Sequence, residues 1–198
     1  MRLLLIALLF LICSTSFGQI NNYQNLLDTA LSGHGALFVH LKPLKITRLD
    51  PKEMWEYAEN IKERSNQDLD TVIFSQIIHN SKFADTALWT DKELPGVLLV
   101  NERSETVSKK YALQKLAGLD DKQIKFYKKQ INEFNSTETI YRDLFYFSRP
   151  VFDNSKMFAV VQWDNGHSYL GGGGGIILYQ LQSDNSWKEF GVINNWRY

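Results

Sequence analysis

The sequence predicts an α+β fold in which a helix-rich N-terminal part packs on a C-terminal antiparallel β-meander. Three observations carry this. Apolar residues recur at helical spacing through the first two thirds of the 198-residue chain. From about Ile140 onward the composition turns aromatic and β-branched, with turn residues between short apolar runs. No internal repeat and no low-complexity linker separates the two regions, so a single domain is expected over 19–198, helical over 20–135 and a meander over 138–198.

The elements follow in order. Tyr23, Leu26, Leu27, Ala30 and Leu31 form one apolar helical face, with Asn22 to cap its start and Gly33 to end it. Gly35 to Leu41 reads as a short strand closed by Pro43. Asp50-Pro51-Lys52-Glu53 is a helix start, with a capping aspartate and a proline in the first turn, and Met54, Tyr57, Ala58 and Ile61 form the buried stripe behind it. Leu69, Val72, Ile73, Gln76 and Ile77 place a second helical face over 68–80. Pro95-Gly96 marks a turn before Val97–Val100, an apolar run of the kind found in buried strands. A helix is expected from Thr106 to Ala117, stopped by Gly118. Asp120 and Gln123 signal a capping box, with Ile124, Tyr127, Ile131 and Phe134 on the inner face and Lys122, Lys125, Lys128 and Lys129 on a solvated side. Ile140–Phe152 is β-prone and broken by Pro150, which confines it to an edge or a bend. Phe158–Trp163 and Ile176–Leu181 are the arms of a hairpin, and Trp187–Trp196 follows the turn Ser183–Ser186.

The N-terminus has the form of a secretory signal. Met1-Arg2 precedes an apolar run from Leu3 to Ile12, and Ser16 and Gly18 supply small residues before a cut ahead of Gln19. The run is shorter than the roughly 20 residues a membrane span needs. Lipoprotein processing at Cys13 is disfavoured by the bulky Ile12 before it. The chain is therefore expected to be exported, periplasmic or secreted, with no membrane insertion after signal removal. Loss of Arg2 takes Lys+Arg from 22 to 21 against 22 Asp+Glu, a net charge of −1. That balance offers nothing to a nucleic-acid backbone. The single cysteine, Cys13, leaves with the signal, so the mature chain has no disulfide, thiolate nucleophile or cysteine metal site.

Few motifs for chemistry are present. The histidines are His34, His40, His79 and His167; no two lie three or four apart, and Asp164 with His167 is at most half a metal site. There is no G-x-S-x-G elbow and no S-x-x-K. Tyr111 and Lys115 have the Tyr-x-x-x-Lys spacing of short-chain dehydrogenases, but no G-x-G-x-x-G precedes them. Trp163, Tyr169, Trp187 and Trp196 all fall in the meander, where they serve either a core or an exposed stacking platform.

The most distinctive stretch is the run Gly171–Gly175 between the hairpin arms. It is no phosphate loop, because Ile176-Ile177 follows it rather than a lysine and a helix. Three uses remain open: a loop or sharp bend, close approach of another part of the protein, or a backbone cradle for a ligand.

Phe147-Ser-Arg-Pro-Val-Phe152, Met157-Phe-Ala-Val-Val161, the glycine run and Ser186-Trp-Lys188 together resemble the C-terminal pattern of uncharacterised exported bacterial proteins. The resemblance covers the last third of the chain and implies a β-meander and export; it implies no chemistry. The functional expectation is a binding or accessory module of the cell envelope. Its ligand, a small molecule, glycan or protein, would sit beside the glycine loop among Arg149, Trp163, Asp164, His167, Tyr169, Gly171 and Gly173. No catalytic residue, cofactor or metal is assigned. The alternatives are a small hydrolase using Asp164 and His167, and a purely structural partner protein.

Overall fold

The computed structural model describes residues 23–66, 68–115, 118–166 and 171–198. The proposed signal over 1–18, with Cys13, lies outside them, as do His167 and Tyr169.

The fold is α+β. Helix α1 covers 23–34 of the described residues, followed by strand β1 (Phe38–His40), α2 (Met54–Ser65), α3 (Thr71–Ser81), β2 (Leu98–Val100), α4 (Lys109–Lys115) and α5 (Asp121–Ser136). The strands β3 (Tyr146–Phe147), β4 (Val151–Phe152), β5 (Phe158–Asp164), β6 (Gly173–Leu181) and β7 (Trp187–Arg197) complete the chain. The last five form one antiparallel sheet in the order β3-β5-β6-β7, with β4 paired to the same edge of β5 as β3. Between β3 and β4 the ladder is interrupted at Ser148-Arg149-Pro150. The buried Ser148 hydroxyl substitutes for a backbone acceptor there, taking the Gln162 N–H at 2.8 Å. Pro150 thus sits at an edge, where its missing donor costs nothing.

The strands β1 and β2 pair in parallel, a contact between segments about sixty residues apart that no local pattern signals. They join the meander's edge through His40 N to Phe145 O at 2.8 Å and Phe145 N to Phe38 O at 3.0 Å.

Both faces of the sheet are covered. Leu26, Leu27, Ala30 and Leu31 of α1 pack on Phe147, Ala159, Val161, Ile177 and Tyr179. Tyr57, Ala58 and Ile61 of α2 and Phe74, Ile77 and Ile78 of α3 pack on Val160, Ile176, Leu178 and Ile193 from the other side. This explains why β5 and β6 read as unbroken apolar runs instead of alternating ones: successive side chains point to opposite faces, and each face is buried. Each fully buried isoleucine contributes roughly 1.5–3 kcal/mol through that burial. A third cluster joins Phe38, Leu98 and Val100 to Ala112 of α4 and Ile131 and Phe134 of α5.

Several sequence expectations are corrected in detail. Helix α1 continues through Gly33 and ends at Gly35, whose φ of +60° supplies the left-handed residue a helix stop favours. Asp70 caps α3 by accepting from Val72 N, which fixes the helix start at Thr71; Val72 then points to solvent and Phe74, Ile77 and Ile78 point inward. Thr139–Tyr141 forms a 3-10 turn rather than the start of a strand. The capping box of α5 is present as expected, with Gln123 N to Asp120 Oδ1 at 2.8 Å and Asp120 N to Gln123 Oε1 at 3.0 Å.

The largest correction concerns the glycine run. Gly173, Gly174 and Gly175 lie inside β6, paired with β5 on one side and β7 on the other.

Candidate functional site

The register places Asp164, Gly174 and Trp196 side by side across β5, β6 and β7. With no side chain on the middle strand, the Trp196 indole lies across it and donates Nε1–H to Asp164 Oδ2 at 3.2 Å. A Cβ on Gly174 would collide with the Trp196 ring. The next row repeats the device on the opposite face: Trp163, Gly175 and Asn195 are neighbours, and a Cβ on Gly175 would come within 3.1 Å of Trp163 Nε1. Close approach is therefore the use of these glycines. Two consecutive glycines let two indoles cross the same strand, one on each side.

Beyond this crossing the chain gathers a polar corner. Tyr198 donates its hydroxyl to Asp164 Oδ2 at 2.6 Å, and Gly166 N–H donates to Asp164 Oδ1 at 2.8 Å. Both carboxylate oxygens are thus engaged. The Tyr198 hydroxyl is held above its ordinary range, first by donating to the Asp164 carboxylate and then by burial. The Tyr198 ring covers Gly166 so closely that a Cβ there would meet it at 2.6 Å, yet the residue remains 52% exposed on its outer side.

The stem of the hairpin loop is held by hydrogen bonds. Asn165 N donates to Gly173 O at 2.9 Å, Gly173 N donates to Asn165 Oδ1 at 2.9 Å, and Tyr198 N donates to Gly172 O at 3.3 Å. Gly172 has a φ of +106°, open only to glycine, and its missing side chain lets Gly166 approach.

Two arginines reach this corner from distant segments. Arg48 stacks over the Trp196 ring with its guanidinium carbon 4.1 Å from the centroid. Arg103, in the loop after β2, donates from its terminal nitrogen to Gly166 O. Its Nε–H is buried and meets no acceptor, and neither arginine has a carboxylate within 4 Å among the described residues.

The residues singled out from the sequence divide accordingly. Asp164 is at the corner, with Gly171 and Gly173 at its loop stem; His167 and Tyr169 lie outside the described residues. Trp163 projects from the other face of β5, its ring 4.2 Å from that of His34. Arg149 is committed elsewhere. It is 9% exposed, pairs with Glu93, donates to Tyr23 Oη at 3.2 Å and to the Ala87 and Leu88 carbonyls, and stacks 4.3 Å over Trp89. It clamps α1 to the loop 85–93, and none of these partners belongs to the glycine corner. The aromatic residues form no single platform: Trp163 and Trp196 occupy opposite faces and Trp187 is core.

Sequence reasoning missed Arg48, Arg103 and Tyr198. Tyr198 carried a signal, since Trp196 and Tyr198 are two apart and a strand puts such residues on one face. The arginines carried none. Among the described residues no group of three or more His, Cys, Asp or Glu side chains could hold a metal ion, and no helix is long and apolar enough to cross a membrane.

Comparison of the chain with family models, curated proteins and solved structures finds no match to any of the three. The class that can be stated is the one the fold defines, an α+β protein with a sheet covered on both faces.

Proposed function

We propose that the protein is an exported binding module of the cell envelope that holds an oxyanion-bearing ligand, such as an acidic glycan or a phosphorylated or sulfated small molecule, at the corner formed by Arg48, Arg103, Asp164, Trp196 and Tyr198. One observation carries the reading: Arg48 on the Trp196 ring and Arg103 on the Gly166 carbonyl reach the same corner, and neither has a carboxylate within 4 Å among the described residues. A guanidinium offers oxyanions a positive charge with several N–H donors. The exposed outer side of Tyr198 offers a ring on which a sugar could stack.

The hydrolase alternative is served less well. Asp164 already accepts from three donors, which leaves it poorly placed to take a proton from water. Export is supported by the N-terminal pattern and by the resemblance to exported proteins over the last third of the chain.

A thermal-shift screen tests the ligand class. Sulfate, phosphate and uronic-acid oligosaccharides should raise the midpoint, neutral oligosaccharides should do so less, and Arg103→Gln should abolish the rise. Equal stabilisation of wild type and variant, or none by any oxyanion, would overturn the assignment. Export is checked by N-terminal sequencing of the protein from fractionated cells, which should begin at Gln19; an intact Met1 in the cytosol would contradict it.

A further inference from the structure

Helix α5 packs through a narrow stripe: of its sixteen residues only Ile131 and Phe134 are buried. A groove runs beside that stripe. One end is an apolar cleft of about 450 Å³, walled by Leu31, Leu94, Val97 and Phe126. The other is a smaller cleft of about 210 Å³, bounded by Glu133, Arg142 and Asp143. The two share Gly35, Leu37 and Gln130, so they adjoin. From α5 the groove is lined by Phe126, Gln130, Glu133 and Thr137, three or four apart, which is a single helical face.

The ends differ in chemistry. The larger cleft has an apolar floor, with the Phe126 ring, 56% exposed, and the exposed Asp28 among the residues at its rim. At the acidic end, Glu133 and Asp143 are exposed and have no lysine or arginine within 4 Å among the described residues. Arg142, buried between them and the core, does not offset this by presenting donors. Its guanidinium donates to the carbonyls of Arg103, Glu105, Asn135 and Thr137. Two of those carbonyls belong to the C-terminal end of α5, where the helix dipole is negative and a cation is favoured.

We propose that this groove docks an extended peptide segment of a partner protein, with a bulky apolar side chain in the cleft beside Phe126 and a lysine or arginine against Glu133 and Asp143. Charge complementarity selects the basic end and the cleft selects the apolar one. From Phe126 to Glu133 the helix rises about 10 Å, and an extended chain covers that length in roughly three residues. The site is independent of the glycine corner, on another element with another chemistry.

The test is fluorescence polarisation with labelled heptapeptides in a glycine-serine background. They carry leucine or phenylalanine near one end and lysine, norleucine or glutamate about three residues on. The lysine peptides should bind tightest and weaken with added salt. The double variant Glu133→Gln/Asp143→Asn should weaken the lysine peptide about fivefold while leaving the norleucine peptide unchanged. Phe126→Ser should weaken all of them. All three side chains are exposed, so thermal midpoints should stay at the wild-type value. Equal binding of lysine and glutamate peptides, lysine binding unaffected by the double variant, or no binding by any peptide would overturn the proposal.

Discussion

A glycine inside a strand is ordinarily a weakness, because it adds backbone entropy to the unfolded chain and buries nothing. Gly174 is kept at that cost because the Trp196 indole occupies the space its side chain would fill. Gly174→Ala is expected to destabilise the protein by about 2–4 kcal/mol, combining overpacking with loss of the Trp196–Asp164 hydrogen bond. Gly33 is the matched control. It lies within α1 with nothing within 4 Å of an added Cβ, so Gly33→Ala should stabilise by about 0.5–1 kcal/mol. Urea denaturation of the two variants checks both signs. If Gly174→Ala were neutral, the crossing of β6 by Trp196 would have no energetic weight. None of this is visible in the letters of the run, because five glycines look alike until register says which strand neighbours flank each one.

At the scale of elements the sequence was most legible where a signal is local. The Asp120/Gln123 box, the Asp50-Pro51 start and the helical faces of α1 and α2 depend on neighbours in the chain and are found; of the α5 face, Ile131 and Phe134 are buried, Tyr127 is partly so, and Ile124 lies outside the core clusters. What escaped depends on distant partners. The pairing of β1 with β2 joins residues about sixty positions apart, and the outward turn of Val72 follows from which aspartate caps α3. Arg149 escaped for the same reason. Its partners Tyr23, Ala87, Leu88 and Glu93 come from elements far back in the chain. Arg149→Met should cost about 2–4 kcal/mol by removing the ion pair to Glu93, leaving the Tyr23 hydroxyl without its arginine partner and loosening the α1 contact with the loop 85–93. Chemical denaturation measures the loss. Faster amide exchange confined to α1 and that loop would locate it, whereas an unchanged midpoint would reduce the clamp to packing alone.

For the whole molecule, two sets of groups tie stability to pH. Burial holds the His34 imidazole below the usual histidine range. The unfolded chain therefore binds a proton first, and the stabilisation is complete above about pH 6.5 and declines as pH falls below it. For Glu93, burial alone would raise the carboxyl, but hydrogen bonds from Arg149 and Thr90 outweigh it and hold it below the ordinary range. The Asp91 carboxyl is held low chiefly by its hydrogen bond to Lys115. Their contributions are complete above about pH 4.5 and are lost as pH falls through the lowered values. Urea midpoints should fall in two stages on acidification, and His34→Phe should remove the first while keeping the second; a single stage in wild type would contradict this. The site itself was half legible. Asp164 and the loop stem follow from hairpin pattern, while Arg48 and Arg103 arrive from segments whose sequence says nothing of their destination. That these arginines and the Trp196 crossing hold an oxyanion is tested most directly by nitrogen-15 amide and indole spectra recorded while titrating sulfate or a uronic-acid oligosaccharide. Saturable shifts of the Gly166, Gly172 and Gly173 amides and the Trp196 Nε1–H, lost in Arg103→Gln, are expected. Saturable shifts that leave those signals in place, or that survive Arg103→Gln, would contradict it.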